Sequence, residues 1–170
     1  MLRRDPLSNL EPLIRRVYAY AAYRLGDGPD AEDVTSETFE RALRYRKSYD
    51  SQKGEPVAWL LGIAKRCIDG SYSSTEFAAE DIDAPDPSDL EEETIRRLNV
   101  SRAVETLDER DRELIALRYG ADLTARQIAE LLGARTNAIE VALHRALGRL
   151  RAFLGAEDEA EPVRKRGASR

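Results

Sequence analysis

An all-α fold of two small helical domains is expected from three features of this chain. It is rich in Ala, Leu, Arg and Glu and poor in aromatics (6%), a composition that favours helices. The run LTARQIAELLGARTNAIEVALHRAL, Leu123 to Leu147, sets Ala129, Gly133 and Ile139 at steps of four and six residues. That spacing suits a helix-turn-helix, with Ala129 where two helices touch, Gly133 in the turn and Ile139 on the buried side of the second helix. The third feature lies between Ser74 and Leu98, where nine carboxylates face only Arg96 and Arg97, and Pro85 and Pro87 interrupt the pattern. This stretch reads as a flexible acidic linker. The chain then divides into a domain over 6–73, the linker over 74–98, a second domain over 99–154 and a disordered tail over 155–170.

In the first domain, Leu10, Leu13, Ile14, Val17, Ala21 and Leu25 recur at three- and four-residue steps and predict one helix with a single buried stripe. Gly26, Gly28 and Pro29 stop it. A second helix is expected from near Asp30, with Val34, Thr38, Phe39 and Ala42 inward, Asp33, Glu37, Glu40 and Arg41 outward, and acidic residues in its first turn to suit the helix dipole. After the polar loop SYDSQKGE, Pro56 is placed to open a third helix carrying Trp59, Leu60, Ile63, Ala64 and Cys67, and the three helices are expected to close around Trp59.

In the second domain, Val100, Ala103, Val104 and Leu107 mark a short helix, and Leu114, Ile115, Leu117 and Arg118 mark another that ends near Gly120. The helix-turn-helix follows. Thr124 and Gln127 form a capping box at its first helix, and Thr136 or Asn137 starts its second. That second helix is expected to run on through Leu143, Leu147, Leu150 and Leu154. The same spacing also fits a plain helical hairpin inside a bundle, so the motif alone leaves DNA binding and simple packing both open.

Composition narrows the function classes. No run reaches the roughly 18 apolar residues of a membrane span, and MLRRDPLSNL lacks the apolar core of a secretion signal, so no membrane association and a cytoplasmic location are expected. Cys67 is the only cysteine and His144 the only histidine, which excludes an internal disulfide and the usual zinc sites; Cys67 reads as a small buried hydrophobe. No phosphate-cradling loop, metal constellation or nucleophile-base pair is present, so neither an enzyme nor a cofactor is expected. The net charge of −5 argues against avid DNA binding by the chain alone, because non-specific affinity comes from basic side chains that release counterions.

The ordered set AEDVTSETFERALR (Ala31 to Arg44), PVAWLLGIAKR (Pro56 to Arg66), the acidic linker, LDERDRELIALRYGADLTARQIAELLG (from Leu107) and LHRAL (from Leu143) resembles the bacterial extracytoplasmic-function sigma factors of the sigma-70 family. The resemblance spans roughly residues 10 to 154. It implies a region 2-like domain and a region 4-like helix-turn-helix domain that bring core RNA polymerase to promoters and help melt the DNA. It further implies that Asp33, Glu37 and Arg41 dock on the polymerase β′ clamp. Arg44, Arg46, Lys47, Tyr49, Lys53, Lys65 and Arg66 would serve the −10 strand, which needs cations along the backbone and a surface for an unstacked base. Tyr45 and Tyr49 suit either that role or packing, packing being preferred for Tyr45. Asp81, Asp83, Asp86, Asp89, Glu91, Glu92 and Glu93 would let the linker mimic nucleic acid in a basic polymerase channel, or else act as a solvated tether.

For region 4, the resemblance implies contact with the polymerase β flap and the −35 duplex through Arg126, Arg135, Thr136, Asn137, Glu140, His144 and Arg145, with Arg135 and Asn137 on bases. It also implies control by an anti-sigma protein. Two departures from relatives stand out. Asp69 and Gly70 replace a basic run at the end of the third helix, and Glu140, Val141 and Ala142 stand where Lys and Arg are common. Glu140 repels phosphate unless it accepts a hydrogen bond from cytosine N4. Two alternatives therefore stay open: a sigma-like interaction protein with weakened promoter recognition, and a stand-alone helix-turn-helix regulator.

Overall fold

A computed structural model describes residues 5–70 and 100–166, with side chains of the last helix described to residue 156. Among the described residues every regular element is helical. The acidic residues from Asp81 to Glu93 and the linker boundaries lie outside them.

Helix α1 (Leu10–Leu25) ends at Gly26, and α2 (Pro29–Arg44) starts directly after Gly28, whose φ of 148° few other residues adopt. Pro29 occupies the first turn of α2, where its missing N–H costs nothing, and Asp30 and Glu32 sit at the positive end of the helix dipole. A 3-10 turn (Arg46–Ser48) leads into the polar loop. Pro56 then opens α3 (Pro56–Ile68) as expected.

In the second half, residues 100–105 are the described part of α4. Helix α5 (Glu109–Ile115) is capped by Asp108, whose carboxylate accepts from Asp111 N at 2.8 Å. It passes into a π turn (Ala116–Gly120), closed by Ala121 N donating to Ala116 O at 2.9 Å. Then come α6 (Ala125–Leu132) and α7 (Thr136–Arg166).

The two halves are packed on each other, which nothing in the sequence indicated. One core runs from Val17, Tyr20, Leu60 and Leu61 to Leu114, Leu117, Leu123 and Ile128, all at most 2% exposed. A smaller cluster of Val104, Leu107, Ile115 and Ala146 ties α4, α5 and α7 together. The contact between halves is made chiefly by α1 against the π turn and α5.

This contact rotates α1 away from the expected stripe. Val17 and Ala21 are buried, but Leu10, Ile14 and Leu25 are 45%, 43% and 39% exposed, while Tyr20 and Arg24 take the interior positions. The stripe assumed one partner face, whereas α1 packs against both its own domain and the other half. Trp59 is likewise not the centre of the first core. It is partly buried and tilts against Tyr49 with ring centroids 5.5 Å apart, and Leu60 and Leu61 fill the interior instead. Tyr45, for which packing was preferred, is 49% exposed. Helix α7 continues past Leu154 to Arg166, through a stretch expected to be a disordered tail; its Ala and Glu residues are good helix formers.

Candidate nucleic-acid interface

The helix-turn-helix is built by local chemistry. Thr124 Oγ1 accepts from Gln127 N at 3.2 Å, and Gln127 Oε1 accepts from Thr124 N at 2.9 Å, so two orphan donors at the start of α6 are satisfied reciprocally. Gly133 follows α6 in the left-handed region (φ 66°, ψ 33°) and turns the chain into α7. Ala129 and Ile139, each 4% exposed, belong to one buried core. Thr124→Ala is expected to cost about 1 kcal/mol of stability, read by chemical denaturation, since it removes the side-chain half of the cap.

That core leaves one side of α7 facing outward. Arg135, Asn137, Glu140, His144 and Arg145 are exposed, and Thr136, the first residue of the helix, is half-buried. Val141 is 50% exposed among them. Asn137 and Arg145 line a groove of about 530 Å³ together with Arg110, Asp108 and Asp111. Across it the Arg149 guanidinium pairs with the buried Asp111 carboxylate, which ties α7 to α5. Arg126 lies on exposed α6 and pairs with Glu130 at 3.1 Å, one turn on.

In the first half, three of the −10 candidates converge. Tyr49, Lys53 and Arg66 line one cavity of about 700 Å³, together with Trp59. The Tyr49 hydroxyl donates to Gly54 O at 3.0 Å, which fixes the ring against Trp59, and burial is the main reason its acidity is weakened. Arg46 and Lys47 border a second cavity of about 290 Å³ beside Asp5, and Arg46 pairs with Asp5 at 3.6 Å. Arg44 pairs with Glu40 at 3.0 Å. Lys65 is not part of this group: it pairs with Asp69 at 2.6 Å and borders the cleft toward α5. Trp59 is the residue that sequence reasoning placed in the core instead of the site. Its proximity to Tyr49 depends on how the polar loop folds back, which local spacing does not specify.

Asp33, Glu37 and Arg41 recur every fourth residue and share one face of α2. Asp33 is exposed, while Glu37 and Arg41 are half-buried and joined by two hydrogen bonds from the guanidinium to Glu37 Oε1, at 2.9 and 2.6 Å. Cys67 adjoins this pair. Burial pushes its thiol up, with Glu37 adding to the effect and Thr38 and Arg41 opposing it, so it stays a neutral packing group. Among the described residues no group of three or more His, Cys, Asp or Glu could hold a metal, and no helix is long and apolar enough to cross a membrane.

Comparison with known proteins accounts for this arrangement. Residues 10–70 match the Sigma-70 region 2 model, and residues 97–150 match the Sigma-70, region 4 model. The chain is 32% identical over 147 residues to the ECF RNA polymerase sigma factor BldN of Streptomyces coelicolor, covering 81% of this chain but only 56% of BldN. It is 30% identical over 168 residues to the ECF RNA polymerase sigma factor SigD of Mycobacterium tuberculosis, covering 87% of this chain and 74% of SigD. The fold is shared with the sigma factor RpoE solved with the anti-sigma factor NepR from Bartonella quintana, at a TM-score of 0.59 and 21% identity, covering 84% of this chain and 92% of RpoE. CnrH solved with the cytosolic domain of CnrY gives 0.58 and 21%, over 85% and 81% of the two chains. Both sigma regions therefore occur in order along one polypeptide, and the chain belongs to the ECF sigma factors of the sigma-70 family.

Proposed function

We propose that this chain binds core RNA polymerase and directs it to promoters, reading a −35 element with α7 and a −10 strand with the loop and α3, and aiding DNA melting. The observation that carries this reading is the exposed face of α7, held by a helix-turn-helix core on the same chain as a region 2 domain. Arg135 and Asn137 at its N-terminal end stand where a recognition helix meets base edges, and Arg145 lies farther along the same helix. On the region 2 side, Trp59 and Tyr49 offer aromatic surface beside Lys53 and Arg66, the combination that holds an unpaired base and its backbone. The α2 face of Asp33, Glu37 and Arg41 serves the polymerase clamp. The net charge of −5 fits a division of labour in which core polymerase supplies much of the DNA affinity. The chain acts by binding and not by catalysis. An anti-sigma protein belongs to the same reading, since the sigma factor RpoE, whose fold this chain shares, was solved with the anti-sigma factor NepR.

Replacing Arg135 and Asn137 together by Ala is expected to lower −35-dependent initiation about 30-fold or more, because each good base contact is worth about 1–3 kcal/mol and the two together at least about 2 kcal/mol. Run-off transcription on templates with and without the −35 element reads this. An equal loss on both templates, or none, would reject the assignment. Glu140 supports a second reading. It is exposed on the recognition face, and a carboxylate there opposes phosphate unless a cytosine N4 donates to it. An interaction protein that binds core polymerase but initiates poorly is the form that reading takes.

A further inference from the structure

The outward face of α7 carries one residue that neither packing nor helix propensity accounts for. Ile139, Leu143 and Ala146 are buried and fix the side of α7 that meets the core. At about 3.6 residues per turn, Val141 falls nearly opposite all three. It is half exposed and belongs to neither core cluster. Being β-branched, it also favours a helix less than Ala, Arg or Glu would.

A single exposed valine is ordinary on a protein surface. The surroundings of Val141 are what single it out. Asn137, one turn before it, and Arg145, one turn after it, lie exposed on the same stripe, and His144 is exposed beside them. Ala138, Val141 and Ala142 are the apolar residues that line the groove of about 530 Å³ between α7 and the start of α5. Gly148 continues the outward stripe without a side chain, and a Cβ there would meet nothing within 4 Å, so the face stays open beyond Arg145. The acids across the groove are engaged within the protein: Asp108 accepts from Asp111 N at 2.8 Å, and Asp111 pairs with Arg149. Glu140 lies about 100° round the helix from Val141, to one side of the stripe.

The stripe thus presents an amide, then an apolar surface, then a guanidinium. In the major groove, amides and guanidinium groups take up base edges, and an apolar side chain meets the C5-methyl that only thymine, among the four bases, displays there. We propose that Val141 is a specificity-determining residue of the recognition helix, which selects a thymine in the −35 element by contact with its C5-methyl group. This rests on the −35 reading proposed above and adds a base preference to it. It also gives the stretch Glu140, Val141, Ala142, which stands where Lys and Arg are common, an altered preference in place of a lost one.

The test is run-off transcription with purified core polymerase and the full chain on barcoded promoter templates randomised over the −35 element. The templates are assembled from oligonucleotides that carry either thymine or deoxyuridine in that element alone. Deoxyuridine pairs as thymine does but lacks the methyl group. The parent is expected to prefer thymine at one position and to lose about fourfold in initiation with deoxyuridine there, the worth of one buried methyl group. Val141→Ala is expected to initiate equally from the two bases at that position, and Val141→Thr, which keeps one γ-methyl group, to retain the discrimination. Both variants are expected to keep the helical circular dichroism of the parent, because the side chain packs into no core. A parent whose initiation depends on the −35 sequence but is indifferent to deoxyuridine at every position would overturn the proposal and leave the −35 reading standing. So would a Val141→Ala variant that discriminates as the parent does. Protein-dependent initiation with no dependence on the −35 sequence would overturn the −35 reading itself, and the role of Val141 with it.

Discussion

Replacing Glu37 by Lys is expected to weaken binding to core RNA polymerase about 10- to 100-fold, equivalent to roughly 1.4–2.8 kcal/mol. The change reverses a charge in the middle of the α2 face and sets a cation beside Arg41, which now donates two hydrogen bonds to Glu37. Like charges brought together across an interface cost several kcal/mol, so the effect on association is large. The cost to folding is small, because the Glu37 side chain is 36% exposed and such i,i+4 pairs contribute at most about 1 kcal/mol. Glu37→Gln removes the charge without reversing it and is expected to give an intermediate loss. Fluorescence titration of labelled protein with purified core polymerase measures both. Unchanged affinity in Glu37→Lys would move the docking surface off this face of α2.

The second large effect concerns the core. Leu60→Ala is expected to lower the unfolding free energy by about 2–5 kcal/mol, since Leu60 is fully buried in α3 and its neighbours cannot collapse fully onto the space left. That is a large share of the roughly 5–15 kcal/mol that keeps a typical domain folded. Leu25→Ala is the contrasting change. Leu25 belongs to the stripe that periodicity marks on α1, yet it is 39% exposed, so the loss expected is within about 0.5 kcal/mol. Urea denaturation of the two variants separates the observed packing of α1 from the packing its sequence alone implies.

That contrast also shows which parts of the molecule the sequence carries. The helix-turn-helix was legible because its determinants are local. Thr124 and Gln127 cap one helix, Gly133 supplies the left-handed turn, and Ala129 and Ile139 close the angle, all within a short stretch. Pro29 and Pro56 likewise place the starts of α2 and α3 through their own backbone restriction. The burial of Arg24 was not legible. A basic residue in the last turn of a helix ordinarily faces water and the dipole, and only Glu113, brought in from the other half of the chain, makes its burial tolerable.

The helix end expected near Gly120 is found there, but the approach of α1 to within contact of its backbone was not legible. Of the candidate site, the α7 residues and Asp33, Glu37 and Arg41 came from the resemblance to the sigma factors, and the last three share one face of α2 through their i,i+4 spacing. The grouping of Tyr49, Lys53 and Arg66 with Trp59, and the turning of Lys65 toward Asp69, depend on how the loop and α3 meet and so needed three dimensions.

Promoter-directed initiation is tested most directly by run-off transcription with purified core polymerase plus this protein on a genomic fragment library, with core alone as the control. Discrete, protein-dependent start sites that share elements near −35 and −10 are the predicted result. Binding to core polymerase with no such start sites would contradict promoter-directed initiation and favour the interaction protein that Glu140 also allows.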